Sequence, residues 1–273
     1  MAELHVKAIA SFDLPELRPY ATLRRSAEHE AQGIFVAESD KVVRRLLESR
    51  FTVVSIVLEE KWLVEFRPLL EARAETIAVY LVEKKTLEKL VGFTMFQGVL
   101  AIGKVPPKTS LETILAQSTK PLLLAAVDEL ANAENLGSLV RNCVAFGVGA
   151  LLVGETSSSP FLRRAVRNSM GTIFDLPIVE LSSLTQTIRD LRARGIRCVA
   201  AHPRPGGKTL SQADFSGDCC LVFGSEGHGI SPAVLAACDE AVAIPMPPTV
   251  DSLNVGAAAA AFLYEANRQR GKA

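Results

Sequence analysis

A surplus of either charge is missing from this sequence: 30 lysines and arginines meet 30 aspartates and glutamates in 273 residues. No global positive field announces a polyanionic partner, so any nucleic-acid site has to be a local patch. Paired cysteine spacing is missing too. Cys143, Cys198, Cys219, Cys220 and Cys238 form no Cys-x-x-Cys, which argues against structural zinc and suits small, reduced core residues. No metal site is expected. Histidine is scarce at four residues, and none has an acidic partner at a telling spacing for general-base work. The longest apolar run, residues 255–264, is too short and too alanine-rich to span a bilayer. The opening Met-Ala-Glu-Leu-His-Val-Lys has no basic region leading into an apolar stretch, so a cytoplasmic protein is expected.

What is present is ordinary globular composition, 48% hydrophobic and 22% charged, at a length that suits two modest domains. Residues 34–103 alternate short β-rich runs with helical patterns, and within them Val42, Val43, Leu46 and Leu47 recur at helical spacing opposite Arg44, Arg45 and Glu48. That alternation reads as a small α/β domain over 1–105. Polar, proline-rich residues 106–120 then predict a linker with one short helical pattern. From 121 to 273 a second alternation places strands near 122–127, 150–153, 176–179, 197–201, 219–223 and 240–244. Helices are expected near 137–146, 161–170, 183–194, 232–237 and 253–269. Continuous apolar strands separated by helices predict an α/β fold with a parallel sheet covered on both faces.

In an open parallel sheet, ligands sit beyond the carboxyl ends of the strands. Three loops there draw notice. After 122–127, Asn135 is expected to cap a helix that presents Arg141 about one turn inside, an anion or hydroxyl site in outline, against the plainer reading of an N-cap and a surface arginine. After 219–223, Gly224-Ser225-Glu226-Gly227-His228-Gly229 lets backbone approach a ligand closely, and Ser231-Pro232 opens a helix. After 240–243, the proline-stiffened run from Ile244 ends at Ser252, expected to cap the last helix, whose alanines allow close packing.

Together these loops resemble the three ordered motifs of the SpoU (TrmH-like) family of RNA methyltransferases. Motif one is Asn135-Leu-Gly-Ser-Leu-Val-Arg141. Motif two runs from Leu-Val-Phe-Gly224 to Glu226-Gly-His-Gly-Ile-Ser231, and motif three is Ile244-Pro-Met with Ser252-Leu-Asn254-Val. Ser159-Pro160 through Pro177 is similar to a further family stretch, and Gly33-Ile-Phe-Val-Ala-Glu38 through Ala101 is similar to the family's L30e-like substrate-binding domain. Departures are Ser138 where alanine is usual, Ala133-Glu134 in place of Asp-Pro, and Ser39 where glycine usually follows the glutamate.

The resemblance implies a C-terminal SPOUT domain with a trefoil knot, S-adenosylmethionine as cofactor, a homodimer, and methylation of a ribose 2′-hydroxyl in structured RNA, ribosomal more than transfer RNA. Catalytic roles would fall to Arg141, Asn135, Glu226, Ser252 and Asn254. Cofactor contacts would fall to Phe223, Gly224, Ser225, Gly227, Ile244, Met246, Leu253 and Asn254. The absent Gly-x-Gly-x-x-Gly counts against a nicotinamide enzyme. RNA phosphates are expected at Arg163, Arg164 and Arg167, with Arg24, Arg25, Arg44 and Arg45 extending the track, although each cluster could also be a solvated face. A non-catalytic RNA-binding member acting in ribosome assembly is the rival from another class.

Overall fold

The structure is a computed structural model and describes residues 4–91, 98–203 and 208–271. Contacts divide the chain into two units, one of Met1–Pro107 with Phe161–Phe174, the other of Lys108–Pro160 with Asp175–Ala273. The boundary differs from the sequence expectation at two places. Residues 108–120 join the second unit instead of forming a free linker, because helix 111–117 packs Ile114 into that unit's core. A segment inside the expected second domain, 161–174, belongs to the first unit.

The first unit contains β1 (Leu4–Ala8), α1 (Arg18–Ala21), α2 (Ser26–Ala31), β2 (Ile34–Glu38), α3 (Asp40–Glu48), β3 (Val53–Leu58), α4 (Glu60–Glu71), β4 (Ile77–Leu81), α5 (Lys84–Val91) and β5 (Val99–Lys104). Its sheet runs β1-β4-β3-β5-β2, parallel across the first three strands and antiparallel at β5. The 42/43/46/47 spacing forms the buried face of α3, as the amphipathic pattern requires, while Ser39 caps the helix from φ +92°. Opposite lies a core of Leu17, Tyr20, Val57, Tyr80 and Leu100, where the Tyr20 hydroxyl and the buried Ser55 Oγ share a 2.8 Å hydrogen bond. The returning segment docks by aromatic packing. Phe161 and Phe174 each stand 5.6 Å from Phe35, ring centre to ring centre, and Phe51 closes the cluster at 6.1 and 5.3 Å from them.

The second unit begins with α6 (Leu111–Gln117), β6 (Leu123–Val127), α7 (Ala133–Ala145) and β7 (Ala150–Val153). The returning segment then carries α8 (Arg163–Asn168), and the unit resumes with β8 (Ile178–Glu180), α9 (Leu184–Ala193), β9 (Arg197–Ala201), β10 (Lys208–Thr209), β11 (Cys219–Phe223), α10 (Pro232–Ala237), β12 (Glu240–Ala243) and α11 (Val255–Gln269). Seven strands in the order β10-β12-β9-β11-β6-β7-β8 pair in parallel throughout. β6 and β11 are buried at every position, which is why they read as unbroken apolar runs. All five cysteines are free and buried.

The strand order brings β11 between β6 and β9, with β12 on the far side of β9. The loops after these strands therefore open at one sheet edge. Among the described residues no helix is long and apolar enough to cross a membrane, and no group of histidine, cysteine or acidic side chains is arranged to hold a metal.

Candidate active site

Asp128, directly after β6, fixes the geometry between the first two loops. Its amide donates to the Phe223 carbonyl at 2.9 Å, and its buried Oδ2 accepts the Ser231 amide at 2.7 Å. One residue thus anchors both ends of the glycine loop. Asp128→Ala leaves the Ser231 amide without its partner and is expected to cost about 1–3 kcal/mol of stability, read by chemical denaturation.

The glycine loop is a small closed hairpin. Ser225 and Gly229 exchange two backbone hydrogen bonds of 3.0 Å, Gly229 takes φ +71°, and the His228 amide donates to Ser225 Oγ at 3.3 Å. A Cβ on Gly224 would lie 2.1–2.3 Å from backbone atoms of Gly229 and Ile230, so only glycine fits there. The loop forms one wall of a cavity of about 390 Å³ lined by Phe223, Gly224, Ser225, Glu226, Gly227, His228 and Gly229. The other walls are Ile244, Met246, Asp251, Ser252 and Leu253 from the third loop, and Val255, Ala258 and Phe262 of α11. Phe223 and Phe262 meet edge to face at 6.0 Å, which gives the cavity an apolar base.

Two caps differ from expectation. Helix α7 starts at Ala133 with Asn132 as its cap, accepting from the Glu134 and Asn135 amides at 2.9 and 3.1 Å. Asn135 is therefore inside the first turn, and its side chain is released from capping. It donates through Nδ2 to Glu226 Oε1 and accepts from Asn254 Nδ2 at 2.9 Å. Asn254, not Ser252, caps α11, its Oδ1 accepting the Gly256 amide at 2.9 Å. Motif residues from all three loops are thereby joined in one line: Glu226, Asn135, Asn254, Gly256. A double-mutant cycle on Asn135→Ala and Asn254→Ala should show a coupling of about 0.5–3 kcal/mol in thermal stability, where independent side chains would be additive.

Of the expected cofactor contacts, Phe223, Gly224, Ser225, Gly227, Ile244, Met246 and Leu253 line the cavity, as do Glu226 and Ser252. Asn254 does not; its amide is engaged by Asn135 and the helix cap. Arg141 does not line it either. With α7 beginning at Ala133, Arg141 stands more than two turns from the helix start, beyond the reach assumed from sequence, on an exposed face. Asn142 beside it turns inward, donating to the Gly256 carbonyl at 2.6 Å, so neighbouring α7 positions point to different surroundings.

Sequence reasoning missed Ala201, His202 and Pro203, which also line the cavity. They follow β9, whose place between β11 and β12 is the signal that marks its loop as a fourth wall. On the first unit, Arg163 pairs with the buried Glu38 at 2.9 Å instead of standing free for phosphate, and Arg25 turns to Glu28 at 2.9 Å. Arg44 pairs with Glu65, and Arg45 donates to the Met170 carbonyl at 3.2 Å.

An α/β protein with a cleft of cofactor size at the carboxyl ends of a parallel sheet is the class this arrangement defines. A profile of the SpoU rRNA Methylase family matches residues 122–264, and the chain belongs to that family. An uncharacterized tRNA/rRNA methyltransferase of Mycobacterium bovis is 30% identical over 97% of this chain and 93% of its own. Among solved structures, the SpoU methyltransferase AviRb from Streptomyces viridochromogenes in complex with AdoMet superposes with a TM-score of 0.81 at 25% identity, covering 95% of this chain and all of that one. An RNA 2′-O ribose methyltransferase superposes at 0.78 with 27% identity, covering 97% of this chain and 99% of its own. S-adenosylmethionine is the family's cofactor. The residues here fit it: the cavity has the size of a small-ligand site, and its wall at Gly224 is backbone that a side chain would obstruct.

Proposed function

We propose that this protein methylates a ribose 2′-hydroxyl of structured RNA, ribosomal RNA in preference to transfer RNA. The observation that carries the reading is the hydrogen-bonded line Glu226–Asn135–Asn254, which ties three separate motifs together at a cavity of cofactor size. Likeness to an RNA 2′-O ribose methyltransferase supports ribose as the acceptor. The separate first unit, whose sequence resembles an L30e-like substrate-binding domain, supports a large ribosomal substrate. Residues of the glycine loop and of the loop after β12 line one cavity, which is compatible with the knotted threading the family likeness implies.

S-adenosylmethionine bound in the cavity supplies an electrophilic methyl group on a sulfonium. The chain's residues have to hold the hydroxyl in line with it and deal with the hydroxyl proton. Arg141 is assigned to stabilise the developing alkoxide. A guanidinium keeps its proton at ordinary pH and makes a poor base, whereas electrostatic stabilisation demands no change in its ionisation. Asn135 and Glu226 hold the loop geometry, and Ser252 and Leu253 bound the cavity.

Arg141 reaches the reaction in a homodimer. It lies on an exposed face of α7, outside its own chain's cavity, and among the described residues its guanidinium has no hydrogen-bond or ion-pair partner. Tyr264 of α11, half exposed and packed edge-on against Phe146, supplies apolar surface nearby for a second copy. Transfer of tritiated methyl from S-adenosylmethionine to total RNA, followed by nucleoside analysis, tests the function. Labelled 2′-O-methyl nucleosides support it. Cofactor binding without transfer to any RNA would instead favour a non-catalytic RNA-binding role, and label on a base would refute ribose.

A further inference from the structure

The hydrogen-bonded line through Glu226, Asn135, Asn254 and Gly256 continues past Gly256. Its carbonyl accepts the side-chain amide of Asn142 at 2.6 Å, which returns the line to α7, the helix that also carries Asn135. A carbonyl inside an α-helix already receives the amide four residues on, so Asn142 occupies its second lone pair. A closed ring results. Residues 254–256 are held to α7 at both Asn135 and Asn142.

Positions 135, 138 and 142 share one face of α7, since steps of three and four residues each make about one turn. Ser138, between the two asparagines, turns its hydroxyl back to the Glu134 carbonyl at 3.1 Å and leaves its Cβ facing Gly256. A Cβ on Gly256 would lie 3.2 Å from that atom and 3.1 Å from Asn254 Oδ1, so glycine allows the first turn of α11 to come close enough for the Asn142 amide to reach it. The buried side chains of α7, Leu136, Leu139, Val140 and Cys143, are apolar. Apolar burial is non-directional, whereas a hydrogen bond fixes a donor against one acceptor and so sets register. What the ring holds bears on the cavity. Leu253 and Val255, which alternate with Asn254 and Gly256, both line it, and Asn142 does not.

We propose that Asn142 is a positioning residue for cofactor binding. It clamps the first turn of α11 to α7, so that Leu253 and Val255 keep the cavity formed before S-adenosylmethionine arrives. The proposal rests on S-adenosylmethionine as the ligand of the cavity and is independent of which RNA atom receives the methyl group. Asn142 stands one residue beyond motif one as it reads in this sequence, and its place in the site emerges only from the contact with Gly256, 114 positions later.

Two substitutions separate the hydrogen bond from packing. Asn142→Leu keeps the bulk of the side chain and Asn142→Asp keeps its shape, yet neither can donate to the carbonyl, and either one carries the test if the other fails to fold. Calorimetric titration with S-adenosylmethionine should give an affinity about two- to tenfold weaker for both, the range that one hydrogen bond controls. Hydrogen exchange of the ligand-free protein should be faster over the first turn of α11, because that turn opens more readily without its clamp. With total RNA as acceptor, the loss should appear in the KM for S-adenosylmethionine while kcat stays within about twofold of the wild type. Wild-type cofactor affinity in the folded variants, unchanged exchange at α11, or a fall in kcat with KM unaltered overturns the proposal. Absence of cofactor binding by the wild type would overturn the cofactor assignment and this proposal with it. Cofactor binding without methyl transfer would instead sink the RNA reading, and titration and exchange would still decide the clamp.

Discussion

Arg141→Ala should reduce methyl transfer by about 10²–10³-fold, the usual consequence of losing one donor aimed at a developing oxyanion. Cofactor affinity should be unaltered, because Arg141 is outside the cavity wall and on an exposed helix face. Calorimetry with S-adenosylmethionine and single-turnover tritium transfer separate the two effects. The pH–rate profile adds a further check. If Arg141 stabilises charge, every ionisation seen in the wild-type profile should persist in the variant at the lower rate, whereas the loss of one would identify Arg141 as the base. Mixing inactive Arg141→Ala with a cavity-blocked protein such as Gly224→Ala addresses the homodimer. Mixed dimers should recover activity, because one protomer would keep an intact cavity while the other supplies the arginine. No recovery after subunit exchange would place the whole reaction within a single chain.

Gly224→Ala carries the second large effect. The added methyl would meet three backbone atoms of Gly229 and Ile230 at 2.1–2.3 Å, and backbone in a hydrogen-bonded hairpin cannot swing aside as a side-chain tip can. The hairpin has to open, which should cost about 1–3 kcal/mol of stability by overpacking. Because the same loop forms one wall of the cavity, calorimetric binding of S-adenosylmethionine should disappear or weaken by at least tenfold, the equivalent of about 1.4 kcal/mol. Gly227→Ala is the internal control. Its Cβ would meet nothing within 4 Å and its backbone is not left-handed, so thermal stability should match the wild type. Loss of stability in both variants alike would mean that the loop tolerates no side chain for reasons other than the clash at Gly224.

The two cases differ in how far the sequence announces them. Apolar strands such as 219–223 and the amphipathic face of α3 are legible because burial on both sides, or on one stripe, leaves a period in the residue types. The glycine loop is legible because close backbone approach leaves few other residues possible. Caps are less so. Asn132 and Asn135 are both good capping residues three positions apart, and only the tertiary pull of Glu226 and Asn254 on Asn135 decides between them. Strand β1 is not legible, because its residues, Leu4–Ala8, are mostly exposed at a sheet edge and carry no buried pattern. Similarly, nothing local in Arg163-Arg164-Ala-Val-Arg167 reveals that its partner is Glu38, 125 positions earlier. Charge clusters give composition, whereas their neutralising partners depend on the fold.

The excursion of residues 161–174 bears on how this protein can be taken apart. Cleavage between 107 and 108 would leave the N-terminal piece without Phe161 and Phe174, which complete its aromatic cluster, and would leave those same rings uncovered on the C-terminal piece. The first unit is thus not a bead that can be detached from the second by one cut. Swapping it between relatives would require grafting two stretches at once, and a lineage that lost it by simple truncation would have to redesign the stretch between β7 and β8 as well.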